Sequence, residues 1–263
     1  MTAAAPPVRA SAVANLGTMT WRQLLRLVRV PTLIVFATVQ PLLFVLLFSY
    51  SFGGAVHPPG VGRYIDYLLP GLFILAIGFG ASQTGVAVAG DLASGMTDRF
   101  RAMPVTGIAV LAGRAAADAV RNLLVTGLMI AAGAAIGFRF HAGPAAALAA
   151  VGLSVATGLA FSWLNTLIGL LVRDPESAGL AGLIPVIILV FTSSTLVPVA
   201  TMPGWLQAFA KVNPVTDIAD ALRALCLGGS TARPVTQALA WIAALLIITI
   251  PTAVNRYRRA APA

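Results

Sequence analysis

Charge is scarce in this chain: Asp, Glu, Lys and Arg make up 10% of its 263 residues, against about one quarter in soluble domains. Lys211 is the sole lysine, so arginine supplies nearly all the positive charge. The lone cysteine, Cys226, excludes an intramolecular disulfide and a cysteine-based metal cluster; it reads as a small apolar residue in a packed helix. The two histidines, His57 and His141, both fall in expected outer loops, so no metal site is expected. No GxxxxGK[ST] is present, so the chain does not bind ATP through a P-loop. HExxH and GxSxG are missing too, and no catalytic pair for intramembrane proteolysis presents itself. There is also no row of intramembrane acids that would mark a proton-coupled pump. What is left is a membrane path with no energy source and no cofactor of its own.

Apolar residues are abundant. They form 59% of the chain, against about 45–50% in soluble domains, and they come in runs of about 20 residues, long enough to cross a bilayer. These features predict an all-α polytopic membrane protein of six transmembrane helices, with no room for a large soluble domain. A net charge of +9 could suggest nucleic acid. The arginines, however, flank the apolar runs instead of forming a basic face, which points to the lipid bilayer as the partner and not to nucleic acid. The first apolar run begins near Pro31, too long for a signal-peptide core and lacking a small-x-small cleavage site.

Residues 1–15 read as a disordered, Ala/Pro-rich tail and 16–255 as the membrane domain. Arg22, Arg26 and Arg29 fall at i, i+4 and i+7, with Met19, Leu24, Leu27 and Val28 largely away from them. That pattern predicts an amphipathic helix lying in the membrane interface, with Trp21 at the headgroup level. Spans are expected at about 31–52, 67–90, 119–138, 144–172, 177–197 and 235–254, followed by a basic cytoplasmic tail, 256–263. Between the fifth and sixth spans, Pro203 and Trp205 open one short helix, and Asn213-Pro214 breaks it before a second that carries Arg223. Both are expected to dip into the outer leaflet as re-entrant helices. With the amino terminus inside, 12 of the 17 arginines and lysines lie inside, against Arg63, Arg139, Lys211, Arg223 and Arg233 outside. The bias places both termini in the cytoplasm of a plasma-membrane protein.

One polar island stands between two apolar runs. Asp91, Ser94, Gly95, Met96, Asp98, Arg99, Phe100 and Arg101 crowd together before Pro104. The segment reads as a cytoplasmic coupling helix over 91–103, ended by Pro104. Asp98, Arg99 and Arg101 suit charge-assisted contacts with a partner, and Phe100 suits an apolar pocket on it. Beyond it, Arg114, Asp118 and Arg121 stand at i, i+4 and i+7, a spacing that predicts one ion ladder stiffening the helix. Ser82, Gln83, Thr84, Asn122, Asn165 and Ser193 are polar within apolar runs and are expected to line the pore.

Two motifs carry a family resemblance. Ser94-Gly95-Met96-Thr97-Asp98-Arg99-Phe100-Arg101-Ala102-Met103-Pro104, followed by Leu111-Ala112-Gly113-Arg114 and Ala117-Asp118-Ala119-Val120-Arg121, resembles membrane subunits of ABC-2 type exporters. The branch it looks most like is the daunorubicin-resistance-like drug exporter permeases. Met202-Pro203-Gly204-Trp205-Leu206 with Asn213-Pro214 and Ala221-Leu222-Arg223 is similar to that branch's last outer loop. The resemblance covers roughly residues 20–255. It departs at Asp91, where many members carry glutamates, and at Thr192–Thr195, where an asparagine-containing run is usual.

The resemblance implies a permease that works with a second membrane subunit, identical or homologous, and with two copies of a cytoplasmic ABC ATPase. ATP and Mg would be bound by those partners, so this chain is a transporter subunit and not an enzyme. The expected cargo is a hydrophobic or amphipathic drug or lipid. A cell-envelope lipid or glycan is the alternative within the family, and a motor-independent scaffold or channel the alternative outside it.

Overall fold

A computed structural model describes residues 12–29, 31–54, 61–96 and 107–259. The described residues are helical with no strand: α1 (Ala12–Arg29), α2 (Pro31–Phe52), α3 (Tyr64–Ala93), α4 (Gly107–Ile136), α5 (Pro144–Val172), α6 (Pro175–Phe191), α7 (Gly204–Val212), α8 (Pro214–Leu227) and α9 (Ala232–Arg259). Four of them, α3, α4, α5 and α9, are long and apolar enough to cross a bilayer. The apolar stretches Ala37–Phe52 of α2 and Pro175–Phe191 of α6 are shorter.

Proline and short polar caps set the helix starts. α2, α5, α6 and α8 each begin on proline, at Pro31, Pro144, Pro175 and Pro214, where the missing N–H costs nothing. Asp174 caps α6 by accepting from the Ser177 N–H at 2.7 Å, and Asn213 Oδ1 caps α8 by accepting from Val215 N at 2.9 Å. The other end of the Asn213 amide donates to Leu189 O at 2.8 Å. One side chain thus starts α8 and satisfies an orphan carbonyl in the last turn of α6.

α3 is the central helix. Every residue from Tyr64 to Gly78 is buried, as expected of a helix that is apolar all round. It packs against α5, α6, α4, α2 and α8. Its close approach to α5 depends on small residues: a Cβ on Gly169 would lie 2.5 Å from Gly85 O. At its start, a Cβ on Gly71 would lie 2.5 Å from Thr195 O. The bundle therefore has two distinct ends, one at Tyr64 and one at Asp91.

Several boundaries differ from the sequence reading. α1 begins at Ala12, inside the tail expected to be disordered, and it packs on α4, where Met19 is buried beside Val110. α6 stops at Phe191 and residues 192–197 form turns, because Ser193 Oγ bonds to Val190 O and to Thr195 Oγ1 instead of the chain extending the helix. α9 runs on through Arg256, Arg258 and Arg259, which occupy its last helical turn, a favourable place for cations. Asp91 belongs to α3 and not to a separate coupling helix. The helix ends at Ala93, and Gly95 takes the left-handed conformation at φ +65, which glycine adopts without strain.

Candidate functional site

Three groups of polar side chains stand out inside this bundle. At the Asp91 end, Arg114 Nη2 on α4 is hydrogen-bonded to Asp91 Oδ2 on α3. The ion ladder expected along α4 is therefore split. Among the described residues no ion pair joins Arg114 to Asp118. Arg114 turns outward from its own helix because α3 offers an acid in its last turn, while Asp118 pairs with Arg121 Nη1 at 3.2 Å.

In the middle of the bundle Asp118 is the hub. Its Oδ2 accepts from Thr84 Oγ1 on α3 at 2.6 Å and from Ser162 Oγ on α5 at 2.5 Å. Three helices thus meet at one buried carboxylate. A buried acid persists only when paired and hydrogen-bonded, and here an arginine and two hydroxyls supply those partners.

Beside this hub lies a cavity of about 510 Å³ bounded by α1, α2, α3 and α4, with Pro175 at its rim. Gln23, Gln40, Gln83, Thr84, Asp118 and Arg121 give it a polar wall, and Pro41, Ala76, Phe79 and Val125 an apolar one. Its size falls within the range of small-molecule sites, about 300–1,000 Å³.

The six side chains expected to line a pore do not stand together. Gln83, Thr84 and Asn122 line the cavity. Ser82 bonds to Phe79 O within α3. Asn165 is fully buried, and a Cβ on Gly182 of α6 would fall 2.0 Å from its Oδ1. Ser193 sits at the Tyr64 end, bonded to Val190 O and Thr195 Oγ1 at 2.7 Å each.

The third group is a clamp at that end. Arg223 of α8 is buried and donates Nε to Tyr67 O at 2.9 Å, Nη1 to Ser194 Oγ and Asp220 Oδ1, and Nη2 to Ser194 O and Thr195 O. Its guanidinium lies 3.7 Å from the centre of the Tyr67 ring, a cation–π distance. Tyr67 and Tyr64 hydroxyls donate to Ser194 O and Leu196 O. Arg223 entered the sequence reading only as part of an outer motif. Its partners Tyr67 and Ser194 were missed, because nothing in local spacing joins positions so far apart.

The remaining expected residues are placed as follows. Trp21 is 63% exposed on α1, Arg22 half-buried and Arg29 exposed; the Arg26 side chain lies outside the described residues. Ser94 and Gly95 form the turn after α3, and Met96 packs beside Met19 and Val110. Asp98, Arg99, Phe100, Arg101 and Pro104 lie outside the described residues. Pro203 and Trp205 open α7, whose Trp205, Phe209 and Val212 are exposed. Among the described residues no three His, Cys, Asp or Glu side chains cluster as metal ligands.

Residues 14–227 match the family described as ABC-2 type transporter. The chain is 31% identical over 252 residues, 96% of its length and 89% of the relative's, to a daunorubicin resistance ABC transporter permease protein of Streptomyces coeruleorubidus. It is 27% identical over 249 residues to a probable doxorubicin resistance ABC transporter permease protein of Mycobacterium tuberculosis, covering 94% of this chain and 90% of that one. A second doxorubicin resistance permease protein of that organism is 29% identical over 224 residues, 78% of this chain and 73% of its own.

Proposed function

Because this chain belongs to the ABC-2 type transporter family, we propose that it is the membrane-spanning permease subunit of an ATP-driven exporter. It moves a hydrophobic or amphipathic drug or lipid out of the cell, powered by a separate cytoplasmic ABC ATPase that docks on residues 91–104. Two copies of that ATPase bind the ATP and Mg, and a second membrane subunit, identical or homologous, completes the path.

In this reading the four long helices together with α2 and α6 make six spans. The Asp91 end faces the cytoplasm, with both termini. α1 lies in the inner interface, its exposed Trp21 among headgroups. α7 and α8 form the outer re-entrant pair, with exposed Trp205, Phe209 and Val212 against lipid.

The observation that supports the coupling is the pair Asp91–Arg114. It staples the end of α3 to the start of α4, the two helices that flank the docking segment. A push on that segment therefore reaches both helices together, and Asp118 passes it to α5 through Ser162.

The test is co-purification of the permease with an ABC ATPase from the same genome, with ATP hydrolysis as a second readout. Arg99→Glu and Phe100→Ala weaken association and lower hydrolysis in this reading. Unchanged association and hydrolysis in both variants would remove the docking role.

A further inference from the structure

The cavity between α1 and α4 offers unequal chemistry to the two signs of charge. Its carboxylate is already occupied: Asp118 holds the Thr84 and Ser162 hydroxyls on one oxygen and faces Arg121 on the other. An entering ammonium group would have to displace those donors. Of its two guanidiniums, that of Arg114 is paired with Asp91 and that of Arg121 is not fully used. Arg121 commits Nη1 to Asp118, while Nη2 finds no hydrogen-bond partner among the described residues, although a guanidinium carries five donors in a rigid fork.

Gly80 makes room for that group. A Cβ at this position would stand 3.1 Å from Arg121 Nη2. An unmet donor in a low-dielectric interior is costly; Nη2 itself is buried, so an acceptor oxygen in the cavity relieves that cost once the Arg121 side chain, which lines the cavity and is 14% exposed, turns toward it. From Arg121 the cavity continues past Phe79 to Ala76, where its wall is apolar. A polar head beside a charged donor, with an apolar chain beyond it, is the shape of an amphiphile.

We propose that this cavity binds an amphiphile whose head carries an anionic oxygen group, a phosphate or a carboxylate, with Arg121 as the head-group contact and the chain against Phe79 and Ala76. This names the cargo class of the exporter proposed above and rests on that reading. Both groups are recognised by arginine through the same paired N–H···O geometry. The source is either a bilayer lipid or a free single-chain amphiphile.

The experiment uses the full chain in phosphatidylcholine nanodiscs, with dansyl-labelled undecanoic acid as the fluorescent probe. Dodecyl phosphate should displace the probe at a concentration at least about tenfold lower than dodecylamine does, the size of a charge-assisted contact. Arg121→Lys, which keeps the charge without the paired donors, should weaken binding less than Arg121→Gln, which should weaken it about tenfold. Ala87→Phe, which places a ring at a cavity-lining position, should also abolish binding in protein that elutes and melts as the parent does. Discs containing phosphatidylglycerol separate the sources: a higher apparent Kd for the probe assigns the site to bilayer lipid, and an unchanged one to free amphiphiles. Equal or better displacement by dodecylamine overturns the proposal, as does undiminished binding in both Arg121→Gln and Ala87→Phe.

ATP-driven movement of the probe by proteoliposomes carrying permease and ATPase separates this inference from the function it rests on. Binding without ATP-driven movement contradicts export and leaves the site standing. Movement that is indifferent to Arg121→Gln contradicts the site and leaves export standing.

Discussion

Asp91 in the last turn of α3 and Arg114 in the first two turns of α4 form an ion pair whose side chains are 19% and 7% exposed. Removing one partner leaves the other charge poorly solvated, which costs more than the pair contributes. Arg114→Ala should lower stability by about 3 kcal/mol, read as thermal unfolding of the purified permease. The reversed pair, Asp91→Arg with Arg114→Asp, should recover part of that loss. A double-mutant cycle showing no coupling would mean that the two helices are not joined here.

Arg223 joins α8 to the start of α3 and to the turn after α6. A lysine keeps the charge but has neither the planar fork nor the stacking face over Tyr67. Arg223→Lys should cost about 2 kcal/mol or more, and its effect should not add to that of Tyr67→Phe, since both residues bond Ser194 O. Additive losses would show that the clamp is two independent contacts.

The crossing of α3 and α5 tolerates no added carbon at Gly169, where a Cβ would stand 2.5 Å from Gly85 O and 3.0 Å from Val88 Cβ. Gly169→Ala should cost about 1–3 kcal/mol as overpacking. Gly152 lies on the same helix with nothing within 4 Å of its added Cβ, so Gly152→Ala should be neutral or stabilise by up to about 1 kcal/mol. Equal effects at the two positions would contradict the close approach.

The cap of α6 carries a pH dependence. The Ser177 hydroxyl and backbone N–H, both hydrogen-bonding Asp174, hold its carboxyl below the ordinary aspartate range. A carboxylate with a lowered folded-state value adds stability above the unfolded value, and that stability is lost as pH falls through the folded one. The wild-type melting temperature should therefore fall more steeply than that of Asp174→Asn on acidification below about pH 4. Parallel pH profiles for the two proteins would contradict the assignment.

Much of the helical frame is legible in the sequence, because hydropathy and proline act locally. Pro144 and the Arg173-Asp174-Pro175 turn already mark the two ends of α5. The interior polar contacts were not legible to the same degree. The spacing of Arg114, Asp118 and Arg121 shows which side chains share a helix face and nothing about the acid on the neighbouring helix. Arg114 accordingly pairs with Asp91 across the bundle. Arg223 meets Tyr67, 156 positions earlier in the chain, a contact that follows only from packing. Thr192–Thr195 read as the end of a span because of its neighbours' hydropathy, yet its hydroxyls bond locally and turn the chain instead.

The central claim is that residues 91–104 face the cytoplasm and receive a separate ATPase. The most direct measurement places a single thiol there, Ala102→Cys, in a chain whose only cysteine, the buried Cys226, is replaced by alanine. In sealed vesicles of known orientation the thiol should react with a membrane-impermeant maleimide from the cytoplasmic side alone. A short bifunctional reagent should then join it to the co-expressed ABC ATPase, with ATPase binding protecting it from the maleimide. Labelling from the outer side, or full reactivity with no cross-link in the presence of the ATPase, would contradict the account.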